Sequence, residues 1–147
     1  VIAGDMSITV AGTFSGNPMT LAAGRATIEH LRDNPQIYPD LAAKGERLRG
    51  GFNDWARAKG LPAFMTGVSS MFQIHLKDSP VTKPRDLLGR LSDPLADLQL
   101  YLRYNGVFIT WLHLAFISAA HSVEDVEEVL RVHLFSVEAC LASHDVV

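Results

Sequence analysis

Ala11-Gly12-Thr13-Phe14-Ser15-Gly16-Asn17-Pro18 leads straight into an apolar-rich segment, and the reading of these eight residues decides the rest. Pro18 suits a first helical position, because its ring fixes φ near the helical value and its missing N–H would be unpaired there in any case. Asn17 is a good N-cap. A helix is therefore predicted from Met19 to about Leu31, broken by Asn34-Pro35, with Leu21, Ala22, Ile28 and Leu31 as its buried positions. Upstream, Gly12 and Gly16 let the backbone approach a ligand, and Thr13 and Ser15 bring hydroxyl donors. The helix start adds unpaired N–H groups and a partial positive charge. Those are the ingredients of a phosphate cradle. They are also the ingredients of an ordinary capped loop, and short glycine-rich patterns recur by chance.

The pattern after Pro35 supports an α+β domain. Ile37, Leu41, Leu48, Phe52 and Trp55 recur at helical spacing over about Tyr38 to Lys59, with Lys44, Glu46, Arg47, Arg49 and Asp54 on the other side and Gly60 as a stop. Ala63 to Thr66 and Ser69 to Leu76 read as strands, the second placing Phe72, Ile74 and Leu76 on one face and Met71, Gln73 and His75 on the other. A helix follows from about Pro94 to Tyr104, with Asp93 as candidate cap and Gly106 as its end. Val107 to Trp111 and Leu114 to Ala119 read as two more strands. The last helix starts at Ser122, which pairs with Asp125 as a capping box, and its stripe is Val126, Leu130, His133, Val137 and Leu141. The predicted order α-α-β-β-α-β-β-α implies an antiparallel sheet with helices on one face.

Composition narrows the function. At 147 residues and 48% hydrophobic content the chain can bury a real core. A net charge of −3 and scattered basic residues argue against nucleic-acid binding. No apolar run reaches membrane-spanning length and no signal-peptide pattern opens the chain. The single cysteine, Cys140, excludes an internal disulfide and fits a reducing, cytoplasmic setting; on an apolar helix it reads as a buried structural thiol. The histidines have no metal-ligand spacing to one another or to Cys140, so no metal is expected. Trp55 reads as core, and His121 as a structural hydrogen-bonding residue.

Gly12-Thr13-Phe14-Ser15-Gly16-Asn17-Pro18-Met19, with Ala22-Ala23-Gly24 and Ala26-Thr27 after it, resembles the class III pyridoxal-phosphate (PLP) aminotransferases, in particular the glutamate-1-semialdehyde 2,1-aminomutase branch. Gly67-Val68-Ser69-Ser70-Met71-Phe72, Ser79-Pro80-Val81-Thr82 and Phe116-Ile117-Ser118-Ala119-Ala120-His121 extend the resemblance in order along nearly the whole chain. It concerns the C-terminal part of that family only. It implies that residues 1–33 end a large PLP-binding domain, as a phosphate-contact loop and linking helix, and that residues 34–147 form the C-terminal small domain of a fold-type-I enzyme. It implies a homodimer in which Gly12 and Thr13 reach the PLP phosphate of the other subunit, and amino-group transfer through pyridoxamine phosphate between a small amino acid or amine and a keto acid.

Two departures from the family pattern bear on the reaction. Trp111 and His113 stand where the aminomutase branch has Gln and Glu, which implies a more aromatic substrate pocket lacking a carboxylate, and a transaminase rather than a mutase. Lys44, Lys59, Lys77 and Lys83 are the only lysines, and none stands in the family's Schiff-base context. No catalytic residue is assigned, and the chain alone is expected to be inactive. The competing reading is a non-catalytic α+β module used for dimerisation or binding.

Overall fold

The computed structural model describes residues 12–77, 81–87, 92–109 and 114–144. It separates into two compact units, Val1–Ile37 and Tyr38–Val147. The first eleven residues of the chain lie outside the described residues.

In the first unit a turn over residues 13–16 feeds α1 (Pro18–Asp33). The Asn17 carboxamide caps it, accepting from the N–H groups of Met19 at 2.9 Å and Thr20 at 3.3 Å. The predicted burial along α1 is overturned: Leu21 is 61% and Ile28 69% exposed, Ala22 is exposed and Leu31 only half-buried. An apolar stripe is buried only where a second element lies on it, and the described part of this unit contains no second layer.

The second unit is built on α2 (Ile37–Lys59), whose Leu48, Phe52 and Ala56 are fully enclosed while Leu41 and Trp55 pack at the margin. Its end is a Schellman motif: Gly60 takes φ +66°, its N–H donates to the Arg57 carbonyl, and the Leu61 N–H donates to the Ala56 carbonyl at 3.0 Å. The strands β1 (Phe64–Val68), β2 (Met71–His75) and β3 (Ala115–Phe116) form an antiparallel sheet in the order β1-β2-β3. Register runs from Phe64 opposite His75 to Val68 opposite Met71, then Met71 opposite Phe116. A short 3₁₀ turn (Pro84–Leu87) precedes α3 (Ser92–Tyr104), and α4 (Val123–Ser143) closes the unit. Phe72, Ile74 and Leu76 share one core with Leu98 and Leu102 of α3 and with Val126, Val137 and Leu141 of α4. The Ser122–Asp125 capping box forms as read, with 2.8 and 3.0 Å bonds.

Five details differ from the sequence reading. Ser69 and Ser70 form the hairpin turn rather than starting β2, and β1 extends to Val68. Residues 107–109 are not a strand, and of the last predicted strand only Ala115 and Phe116 pair; β3 meets a partner at just two positions, so the ladder cannot extend. Asp93 lies inside α3, one residue past its start. Arg49, placed with the solvent-facing charges of α2, is 8% exposed. Its guanidinium donates to the carbonyls of Ser69 at 2.7 Å and Met71 at 3.1 Å, which supplies acceptors in place of water. His75, on the strand face opposite Phe72, Ile74 and Leu76, is also buried, with Nε2 at 2.8 Å from the Thr66 hydroxyl.

Candidate functional site

The loop before α1 is shaped by its own backbone. The Ser15 N–H donates to the Gly12 carbonyl at 2.9 Å and the Asn17 N–H to the Phe14 carbonyl at 3.2 Å. Gly16 takes φ +79°, where an L side chain would be strained. These bonds turn the chain and leave Gly12 and Thr13 exposed at its outside. Thr13 makes no hydrogen bond to any described residue, so its hydroxyl is available to a ligand.

The helix start contributes less than its sequence suggests. The Met19 and Thr20 N–H groups are already taken by Asn17. The donors left at this end are those of the loop: the Thr13 hydroxyl and the N–H groups of Thr13, Phe14 and Gly16, none with a partner among the described residues. Such a set can hold an anion, aided by the remaining positive end of α1. Asn17 has the capping role read for it, and Ser15, read as a hydroxyl donor, shapes the loop through its backbone N–H. Trp111 and His113, the candidate substrate-pocket residues, lie outside the described residues.

The second unit contains a half-open pocket of about 540 Å³, with Leu48, Phe72, Ile109, Ile117, His121 and Val129 among its lining residues. His121 is anchored on both sides. Its Nδ1 accepts from the Ser118 N–H at 2.9 Å, which places the ring proton on Nε2, and its carbonyl accepts from Lys44 Nζ at 2.6 Å. The structural role read for His121 is therefore present, and Lys44 is spent on it. Lys59 pairs with Glu138 at 2.6 Å. Neither lysine is a free amine in a pocket.

Burial sets the strongest electrostatic shifts. Desolvation lowers the His133 imidazole to a pKa of about 4 against a partial opposing effect of the Val129 carbonyl. Burial, with Asp97 adding to it, raises the Cys140 thiol to about 11, and its Sγ donates to the Pro94 carbonyl at 2.9 Å. That is an inert thiol, as the sequence suggested. Among the described residues no three His, Cys, Asp or Glu side chains are grouped to hold a metal ion, and no helix is long and apolar enough to cross a membrane.

The sequence reading missed two residues that shape this unit. Arg49 was hidden by its charge and by a partner twenty residues away. The Lys44–His121 contact spans 77 residues, beyond the reach of any local pattern.

Comparison with known proteins identifies relatives of the chain and of its fold. No protein-family model matches the chain. A glutamate-1-semialdehyde 2,1-aminomutase from Thermus thermophilus is 38% identical over 129 residues, covering 82% of this chain and 29% of that protein. The crystal structure of an omega-transaminase from Sphaerobacter thermophilus superposes with a TM-score of 0.76 at 28% identity, over 90% of this chain and 30% of that one. The FumI protein of Sphingopyxis sp. MTA144, solved in its PLP internal aldimine form, superposes at 0.69 with 27% identity, over 94% and 31%. The chain thus spans about 30% of the length of these relatives. It is homologous to the C-terminal portion of class III aminotransferases and glutamate-1-semialdehyde aminomutases, and the α+β fold of its described residues, with four α-helices and a three-stranded antiparallel sheet, matches that portion.

Proposed function

We propose that this chain is the C-terminal part of a PLP-dependent class III aminotransferase, which moves an amino group between a small amino acid or amine and a keto acid. The observation that carries this reading is the exposed Gly12-Thr13 turn. Its hydroxyl and N–H donors lack protein partners among the described residues and sit at the positive end of α1. That donor set suits a phosphate dianion. In this reading Thr13 donates its hydroxyl, and Gly12 permits close backbone approach, to the phosphate of the cofactor held by the partner subunit of a homodimer. Residues 1–33 would end the large domain and residues 34–147 would form the small domain that closes over substrate.

When bound, the cofactor supplies the electron sink for amino-group transfer. This chain's residues would grip and orient. The proton-moving amine would come from elsewhere in the intact protein, since none of the four lysines stands in the family's Schiff-base context and Lys44 and Lys59 are already bonded within the second unit. Trp111 and His113 would face the substrate, their aromatic character favouring a bulky or weakly polar amino donor. An aminomutase activity is the second reading, favoured by the 38% identity to the Thermus protein.

The test is an assay of the product of the complete reading frame. Amino transfer from amines or amino acids to a keto acid supports the first reading. Conversion of glutamate-1-semialdehyde without an external acceptor supports the second. Failure to retain PLP would favour a non-catalytic module. In the 147-residue chain by itself, borohydride treatment with PLP is expected to give no stoichiometric adduct at any one lysine.

A further inference from the structure

The core face of α4 carries two polar side chains that the fold does not satisfy. His133 and Ser136 are both fully buried, and neither His133 Nε2 nor Ser136 Oγ has a hydrogen-bond partner among the described residues. They stand three residues apart on one helix, so their side chains leave it on neighbouring lines. Their hydrogen-bonding needs are complementary. His133 Nδ1 lies 2.7 Å from the Val129 carbonyl, which can only accept, so the ring proton is on Nδ1 and Nε2 is a bare acceptor. The Ser136 hydroxyl is a donor with lone pairs to spare.

We infer that His133 Nε2 and Ser136 Oγ share an internal water site in the core of the second unit. One water molecule donates a hydrogen to Nε2 and accepts one from the Ser136 hydroxyl, so that neither buried group remains unpaired. Phe72, whose ring meets the His133 ring edge-on at 5.9 Å between centroids, and Val129, whose carbonyl holds Nδ1, both line the 540 Å³ pocket. The water fixes the imidazole between the sheet and α4, and so fixes the seat of Phe72. The competing arrangement turns the Ser136 hydroxyl back onto the carbonyl one helical turn earlier and leaves Nε2 bare.

The test is nitrogen NMR of the imidazole in the 147-residue chain at neutral pH, with water-to-protein magnetisation transfer. The expected result is an Nε2 resonance shifted upfield of the bare-acceptor position, with transfer from a long-lived water to the His133 ring. Ser136→Ala is expected to move that resonance although it touches no ring atom. The double variant His133→Phe/Ser136→Ala is expected to melt higher than the sum of the two single effects allows. An Nε2 resonance at the bare-acceptor position, no water transfer, or strictly additive single effects would overturn the inference. The wild-type spectra decide it even if a variant does not fold.

Discussion

Asn53 closes the free edge of the sheet at Met65. Its Nδ2 donates to the Met65 carbonyl at 2.9 Å, and its Oδ1 accepts from the Met65 N–H at 2.7 Å. β1 is an outer strand, and one side chain from α2 satisfies both outward backbone groups there, as a neighbouring strand would. Met65 is 1% exposed, so water cannot readily replace that amide. Asn53→Ala is therefore expected to cost roughly 2–4 kcal/mol, because two buried backbone groups lose their partners. Urea unfolding checks this. A loss below about 0.5 kcal/mol, the size of an ordinary surface change, would show that the edge is not held this way.

The β1–β2 turn is held against α2 by the absence of a side chain at Gly45. A Cβ there would lie 1.7 Å from the Ser69 carbonyl oxygen, the oxygen that Arg49 grips. Gly45→Ala is expected to destabilise by about 1–3 kcal/mol through forced displacement of the turn. Ser69 itself has φ +50°, a left-handed conformation that β-branched residues adopt poorly. Ser69→Val should cost on the order of 1–2 kcal/mol, while Ser69→Gly should be close to neutral because relief of strain offsets the added freedom of the unfolded chain. Thermal melts of the three variants check the order.

Acid should loosen the second unit before the carboxylates titrate. The His133 pKa is depressed to about 4 in the folded protein, from an ordinary value of 6.5, chiefly by burial. The unfolded chain therefore binds the extra proton first. Stability is full above pH 6.5 and is lost as pH falls from there to about 4, by roughly 3 kcal/mol in total for this one group. Asp125, held below its usual range first by the Ser122 backbone N–H, gives a contribution that persists through that window and disappears at lower pH. The difference in stability between the wild type and His133→Gln, followed between about pH 7 and pH 4.5, checks the sign. A difference that does not change with pH would contradict it.

Cys140 should resist thiol reagents in the folded state. It is fully buried, donates to the Pro94 carbonyl and has its pKa raised to about 11. Labelling at about pH 8 should proceed only through opening of the α3–α4 contact, and urea should accelerate it by orders of magnitude. Rapid stoichiometric labelling of the native chain would contradict the packing described for α4.

Much of the second unit was legible because its signals are local. The stripe of Val126, His133, Val137 and Leu141 has the helical period, and the Ser122–Asp125 box marks where α4 begins. Gly60 marks where α2 ends. What was not legible depends on distant partners. The charge of Arg49 suggested solvent, yet two carbonyls of a remote turn bury it. Leu114–Ala119 read as a full strand, yet only Ala115 and Phe116 pair in the ladder. On α1 the sequence pattern was apolar, but the described part of its unit provides nothing to cover it. The glycine-and-hydroxyl turn was readable as a ligand loop only together with the motifs after it. The structure adds that Asn17 consumes the first helix donors and leaves the work to the loop.

The central claim concerns the Thr13 hydroxyl. The most direct measurement is the PLP dissociation constant of the protein expressed from the complete reading frame, for the wild type, Thr13→Ser and Thr13→Ala. Loss of one hydrogen bond to a charged group, about 1.5–3 kcal/mol, predicts that Thr13→Ala weakens cofactor binding roughly 10- to 100-fold while Thr13→Ser, which keeps the hydroxyl, stays near the wild type. Equal affinity in all three proteins would contradict the assignment of this turn to the cofactor phosphate.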